Sequence, residues 1–360
     1  MSEVFFFFHD IKKFEEYLES ATPSISVIIP AYQAEATLAE CIEGVLKSAG
    51  EDAEIIVVDD ASTDNTSEVA RKLGCRVVRV EKNGGAAAAR NRGAETARGD
   101  ILLFLDSDVV LSDDAVPAVA TVFRKTGCDA LIGHYEKPPR GTVLFSAYQD
   151  LFTYWHHLQA AKGEGRIDWF WTAIGAVRRE LFEDVGGFNE SYSGASAEDV
   201  EFGCDISARG AVILIRTEIR GAHRHDHTLW SYVKNNFRKV SGLVDLALRK
   251  NRNMKFKTPF SGWRSAATLP MSYFMFLTLV FGTLFKALWW LNIVSAGAAL
   301  IHSFIINRHL YGFIGKERNF LFGVFTFYCH VGTNLIVGTA VAWGVLKYLC
   351  GRLFGHRHGP

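Results

Sequence analysis

Residues 269–349 hold only six charged side chains in 81 positions: Lys286, Arg308, Lys316, Glu317, Arg318 and Lys347. Few folds in water accommodate such a stretch, because an ordinary soluble domain carries about a quarter of its residues charged. It divides into apolar segments 269–285, 287–306 and 320–346, each near the ~20 residues that a bilayer helix needs. The connector between the second and third segments carries Arg308, Lys316 and Arg318, and a basic stretch, Lys234 to Lys257, precedes the first. The positive-inside rule sets both in the cytosol. The first two segments then read as a hairpin, and the third as a further crossing or an interfacial helix. One long tilted helix over the first two segments, or a buried all-helical domain, are the alternatives.

The other 279 residues carry 72 of the 78 charged side chains, so a water-soluble part precedes the membrane region. Lys+Arg and Asp+Glu balance at 39 each, which argues against a whole-protein nucleic-acid binder. Six cysteines, at 41, 75, 128, 204, 329 and 350, form no CxxC pair; zinc knuckles and dithiol redox sites are unsupported, and reduced thiols are the simplest reading. The first residues lack a basic n-region, and their four-Phe run is too short for a signal peptide. The soluble part is therefore expected on the cytosolic side.

Within it, short apolar runs alternate with helical spacing. Strands are expected at 25–30, 54–58, 76–80 and 101–105. Helices are expected over 35–48, from the caps Asp64-Asn65-Thr66 through Leu73, and from Asn83-Gly84-Gly85 to about Arg98. This alternation implies a parallel sheet with helices on both faces. Ligands bind such sheets outside the carboxyl ends of the strands, where Pro30, Asp59-Asp60 and Asp106/Asp108 fall. The second half is less regular: helices over 145–161 and 197–208, a strand over 169–177, and a turn at Gly186-Gly187.

Several residues carry chemistry. Asp106 and Asp108 flank Ser107 after a fully apolar strand. Carboxylates at that spacing can hold one divalent cation, Mn²⁺ or Mg²⁺, that completes its shell with water and phosphate oxygens; a solvated turn is the alternative. Asp59 and Asp60 end the second strand, where a carboxylate can accept from a nucleotide base or cap the next helix. Asn83-Gly84-Gly85 lets backbone N–H groups approach a phosphate, with Arg90 about one and a half turns in. Neither GxGxxG nor GxxxxGK[ST] occurs, which removes NAD enzymes and P-loop ATPases. Glu198-Asp199 opens a helix, as a dipole partner or as a general base for a hydroxyl. His223-x-His225-x-His227 has strand spacing, fitting either surface histidines or ligands of a metal or phosphate.

Together these residues resemble glycosyltransferase family 2, whose members are inverting and use a Rossmann-like GT-A fold. The resemblance runs from about Ser24 to Arg238. It rests on Ser26–Tyr32, Val57–Asp64, Ala89–Gly93, Leu105–Asp108, Gly175–Glu180, Gly186–Glu190 and Glu198-Asp199, in that order. It implies a GT-A mostly parallel α/β sheet with helices on both faces, then C-terminal transmembrane helices. The expected divisions are an N-terminal extension (1–23), a transferase domain (24–240), a basic juxtamembrane segment (241–268), a membrane region of two to three helices (269–349) and a tail (350–360).

The resemblance also implies roles. Pro30, Ala31, Tyr32, Asp59, Asp60, Arg90, Asp106, Gly175 and Arg238 would bind a nucleotide sugar, with uridine the family's usual nucleotide. Asp106, Asp108 and His223 would hold the metal. Asp199, with Glu198, would be catalytic. Gln33 stands where the family usually has Asn. Lys234–Arg238 lacks the Gln and Trp of the QxxRW motif found in processive synthases, which favours transfer of one sugar at a time. The acceptor would be a membrane lipid or lipid-linked glycan, its path lined by aromatics over Phe145–Trp155 and Trp169–Trp171, unless these form core. The rivals are an inactive membrane scaffold and a sugar-phosphate nucleotidyltransferase; the second would need a Gly- and Arg-containing loop where Pro30-Ala31-Tyr32 stands.

Overall fold

The computed structural model describes residues 23–49, 54–139, 143–192, 196–224, 228–249 and 289–353, with positions 270, 272–274 and 277. Its first half alternates β1 (Ile25–Ala31), α1 (Leu38–Ala49), β2 (Glu54–Asp59), α2 (Thr66–Lys72), β3 (Arg76–Arg79), α3 (Gly85–Thr96) and β4 (Ile101–Leu105). The apolar runs are buried because the sheet is covered on both sides. Along β4, Ile101, Leu103 and Leu105 enter one core cluster, while Leu102 and Phe104 enter the other. β1 and β2 divide their side chains in the same way, following the two-residue period of a strand. Leu38, Cys41, Ile42 and Val45 form the buried face of α1.

Beyond β4 come β5 (Val109–Leu111), α4 (Ala115–Thr126), β6 (Ala130–Tyr135), α5 (Leu144–Ala160), β7 (Arg166–Ile167), β8 (Ile174–Arg178), α6 (Arg179–Val185), α7 (Glu198–Ala208) and β9 (Ile213–His223). One nine-stranded sheet has the order β3-β2-β1-β4-β8-β6-β9-β5, with β7 paired to β9. The sheet is mixed rather than purely parallel: β8 is antiparallel to β4 and β6, and β5 and β7 are antiparallel to β9. The carboxyl ends of β4, β6 and β9 share an edge with the start of β8, and that edge carries the site.

The chain continues in α8 (Leu229–Arg249), α9 (Trp289–Glu317) and α10 (Phe320–Leu353). Helix α8 is continuous across residue 240, where the sequence suggested a division between the transferase domain and the juxtamembrane segment. Among the described residues one helix is long and apolar enough to cross a membrane, Phe320–Cys350, with a mean hydropathy of 1.6. Of the two to three expected crossings, the described residues thus support one. The 287–306 segment falls mostly within α9, while 250–269 and most of 270–288 lie outside the described residues. A third cluster joins these helices to the rest: Ala147, Tyr148 and Leu151 of α5 and Tyr232 of α8 pack with Leu310, Tyr311, Ile314 and Phe322.

Candidate active site

The apolar run of β4 ends where Asp106 enters solvent. The Val109 N–H donates to the Asp106 carbonyl at 3.0 Å, closing the turn that starts β5. The Asp106 and Asp108 side chains, 34% and 29% exposed, stand at the sheet edge. Arg90 reaches Asp106 from α3 with its side chain only 4% exposed. Its Nη2 donates to Asp106 Oδ1 at 2.8 Å, and its Nη1 donates to Glu198 Oε1 at 3.3 Å. One guanidinium therefore ties the β4–β5 turn to the start of α7. Glu198 is held again from the far side, its Oε2 accepting the Ser196 N–H at 2.7 Å.

Asp199 is less encumbered. It is half-buried, and its Oδ1 accepts the N–H of the adjacent Val200 at 2.8 Å. Burial first, and then the neighbouring Glu198 carboxylate, push its pKa up to about 7, against the pull of Lys239 and Arg90. Of the expected acid pair, Glu198 is thus bound into the scaffold, and Asp199 is the carboxylate poised to exchange a proton near neutrality. Arg238, expected near donor phosphates, donates to Asn235 Oδ1 at 3.1 Å, and its carbonyl accepts the Ser196 hydroxyl at 3.5 Å.

His223 ends β9 and pairs across the ladder with Val109, which sets it beside Asp108. Its Nε2 lies 3.5 Å from Asp108 Oδ2, and its Nδ1 lies 3.5 Å from Asp150 Oδ1 on α5. The ring stacks on Tyr135 at 4.8 Å, and Trp171 meets the edge of Tyr135 at 4.7 Å. Burial opposes charge on His223, but the two aspartates outweigh it and raise its pKa to about 9. His225 and His227 lie outside the described residues. Among the described residues no three His, Cys, Asp or Glu side chains form a ready-made metal cluster. Two half-exposed carboxylates beside an imidazole nitrogen nevertheless suit a divalent ion that takes its other ligands from phosphate and water.

Asp150 and Tyr135 were not singled out from the sequence. The signal for Asp150 was an acid on the apolar face of a helix, between Ala147-Tyr148 and Leu151. The expected acceptor-path aromatics mostly turn inward instead: Tyr148 is in the third cluster with Phe145, Phe152 and Trp155 packed against it, and Trp169 and Phe170 are core.

At the ends of β1 and β2, several expected ligand contacts are used by the chain itself. Asp59 is fully buried; its Oδ1 accepts the Ser62 N–H at 2.8 Å, its Oδ2 accepts the Ser67 hydroxyl, and Arg79 lies 3.3 Å away. Burial works against its charge, yet the bonds from Ser62 and Ser67 hold its pKa below the usual aspartate value. Asp59 thus anchors the loop into α2. Asp60 caps α3, accepting the Gly84 and Gly85 N–H groups at 2.8 Å each. That occupies the donors expected to meet a phosphate. The Ala31 side chain is core, and only its backbone borders the edge. Gly175 lies inside β8, where a Cβ would stand 2.7 Å from Phe170 Cζ, so its smallness is needed for packing. Pro30 is partly exposed and Tyr32 is 55% exposed, so both are open to a ligand. Gln33 has φ of +53°, a left-handed conformation that Asn tolerates better, which explains the residue usual in the family at this place.

Residues 26–186 match the model of Glycosyl transferase family 2. Glycosyltransferase GlyG of Streptococcus pneumoniae is 30% identical over 176 residues, covering 45% of this chain and 58% of that protein. Validoxylamine A glucosyltransferase of Streptomyces hygroscopicus is 32% identical over 246 residues, covering 58% and 54%. Glycosyltransferase AglE of Haloferax volcanii is 27% identical over 262 residues, covering 70% and 84%. The chain thus spans little more than half the length of the first two relatives. Among solved structures, mannosyltransferase PcManGT of Pyrobaculum calidifontis, in complex with GDP-Man and Mn²⁺, aligns with a TM-score of 0.54 at 18% identity. That match covers 89% of this chain and 87% of that one, and indicates a shared GT-A-like fold.

Proposed function

We propose that the protein transfers a single sugar, with inversion, from a nucleotide-diphosphate sugar to a hydroxyl or phosphate of a membrane-associated lipid or glycan. A UDP-sugar is the favoured donor. The observation that carries this reading is the Arg90 bridge, which brings Asp106 and the Glu198-Asp199 pair to one guanidinium. Donor and acceptor chemistry then meet at one point on the sheet edge. In this reading Pro30, Tyr32 and the floor made by Asp60 receive the nucleotide. Asp106, Asp108 and His223 would hold a divalent ion, which when bound neutralises charge on the departing diphosphate. Arg90 orients Asp106 and holds Glu198 in place. Asp199 takes the acceptor proton as the acceptor oxygen attacks the anomeric carbon from the face opposite the diphosphate. PcManGT, crystallised with GDP-Man and Mn²⁺, supports a nucleotide-sugar donor and a divalent metal by likeness of fold, and leaves the choice of uridine to the family's usual nucleotide. The apolar helix Phe320–Cys350 supports integral attachment to the membrane, and the basic residues Arg308, Lys316 and Arg318 ahead of it support a cytoplasmic side for the domain.

Asp199→Asn tests the reading. It keeps size and most hydrogen bonding but cannot accept the proton. Sugar transfer to a membrane-lipid extract should fall at least about a hundredfold, while UDP-sugar affinity stays at the parent value. Transfer near the parent rate would remove Asp199 as the base. A parent protein that binds donor yet transfers nothing would point to a scaffold.

A further inference from the structure

Asp150 has no part in the roles assigned so far, yet its placement is hard to account for as packing alone. It stands on α5 only 6% exposed, on the face that also buries Ala147, Tyr148 and Leu151. An ionised carboxylate is costly to bury without a partner. Its recorded partner is the Nδ1 of His223 at 3.5 Å, and the opposite nitrogen of that ring faces Asp108 at 3.5 Å. The ring is also fixed in plane by its stack on Tyr135, which Trp171 braces from the side. A histidine that ligates a metal through one nitrogen commonly gives its other N–H to a carboxylate, which sets the tautomer and the ring orientation.

We propose that Asp150 is a positioning residue for His223: it draws the ring proton to Nδ1 and so presents Nε2, beside Asp108, as a metal ligand. This inference rests on the reading of Asp106, Asp108 and His223 as a metal site. It also explains why α5 is rigidly mounted. Two residues before Asp150, Tyr148 meets Thr333 Oγ1 of α10 at 3.4 Å, and Tyr232 of α8 bonds the same hydroxyl at 2.7 Å. The helix that carries the orienting carboxylate is thereby fastened to the C-terminal helices.

The test uses the full chain in detergent, with Mn²⁺ as the probe in the presence of uridine diphosphate. Bound Mn²⁺ is read from the loss of the free-ion electron paramagnetic resonance signal. Asp150→Asn and Asp150→Ala should weaken Mn²⁺ binding by about 10- to 100-fold, and Asp150→Glu should restore part of it. Uridine diphosphate affinity in EDTA should stay at the parent value for all three. If Asp150 acts through His223, the double variant Asp150→Ala/His223→Ala should bind Mn²⁺ no more weakly than His223→Ala alone. Parent-level Mn²⁺ affinity in Asp150→Ala would overturn the proposal, and so would fully additive losses in the double variant. Failure of the parent itself to take up Mn²⁺ would overturn the metal reading and this inference with it. That outcome is distinguishable, because the first two require a parent that binds.

Discussion

Asp199 is held where its charge is resisted, and that has two measurable consequences. In the unfolded chain it ionises near the ordinary value of 3.8; in the folded protein burial and Glu198 move this to about 7. Between those values the folded state keeps a proton that the unfolded state has lost. The stability linked to this group is therefore complete below about pH 3.8 and is lost as pH rises to about 7. Asp199→Asn removes the loss. Its thermal midpoint should exceed that of the parent at pH 8 and approach it near pH 4; an equal offset at both pH values would show that Asp199 is ionised throughout. Transfer by the parent should rise with pH through about 7, as the base becomes available. The placement of Glu198-Asp199 at a helix start was legible in the sequence, but the unequal bonding of the two carboxylates was not. It depends on Arg90, more than a hundred residues earlier in the chain, and on the Ser196 N–H. The same limit applies to Asp59 and Asp60. Two adjacent acids at a strand end look alike in sequence, and only the positions of Ser62, Ser67, Gly84 and Gly85 show what each one holds.

Among the elements, α3 links motifs that appear separate along the chain. Asn91 donates through Nδ2 to the Phe188 carbonyl at 2.8 Å and to Glu190 Oε1 at 2.8 Å, and its Oδ1 accepts the Phe188 N–H at 2.9 Å. Gly187, with φ of +76°, turns the chain so that this reciprocal pair can form. Phe188 in turn lies under the Arg90 guanidinium at 5.9 Å. Asn91→Ala should therefore lose about 2 kcal/mol of stability, because it leaves backbone groups of Phe188 unpaired. That corresponds to roughly 4–8 °C in the thermal midpoint. Transfer should fall as Arg90 loses its support, and a midpoint within a degree of the parent would refute the linkage. β1, β2 and β4 were readable because each carries a run of buried apolar residues, and β3, only Val77-Val78 between two arginines, was readable from its place in the strand–helix alternation. β9 was not, since its middle carries Arg216, Thr217, Glu218 and Arg220. Its partnership with β6 slips between Ile132 and His134, and residues at an irregular sheet edge need not alternate. β5 has three residues, too few for a pattern to emerge.

For the molecule as a whole, α10 has two unlike sides. One buries Phe322, Thr326, His330, Thr333 and Asn334 against its neighbours, and Thr333 is the point to which α5 and α8 are bonded. The other leaves Phe320, Leu321, Tyr328, Trp343, Leu346 and Leu349 at least half exposed. Among the described residues that side has no cover, and an apolar surface of that extent on a helix of about 50 Å fits the proposed attachment to a membrane. The full chain should therefore sediment with membranes and stay there in high salt, since insertion into hydrocarbon is not screened. Truncation after Arg249 removes α9 and α10 and should release the transferase domain, but not as a well-behaved soluble protein. Tyr148, Leu151 and Tyr232 would lose the cover of Leu310, Tyr311, Ile314 and Phe322, so the fragment should have a lower thermal midpoint and aggregate on warming. Recovery of the intact chain in the soluble fraction would contradict the anchor. Retention of the truncated chain on membranes would instead move the attachment to α8, whose first turn exposes Leu229 and Trp230 ahead of Lys234 and Lys239.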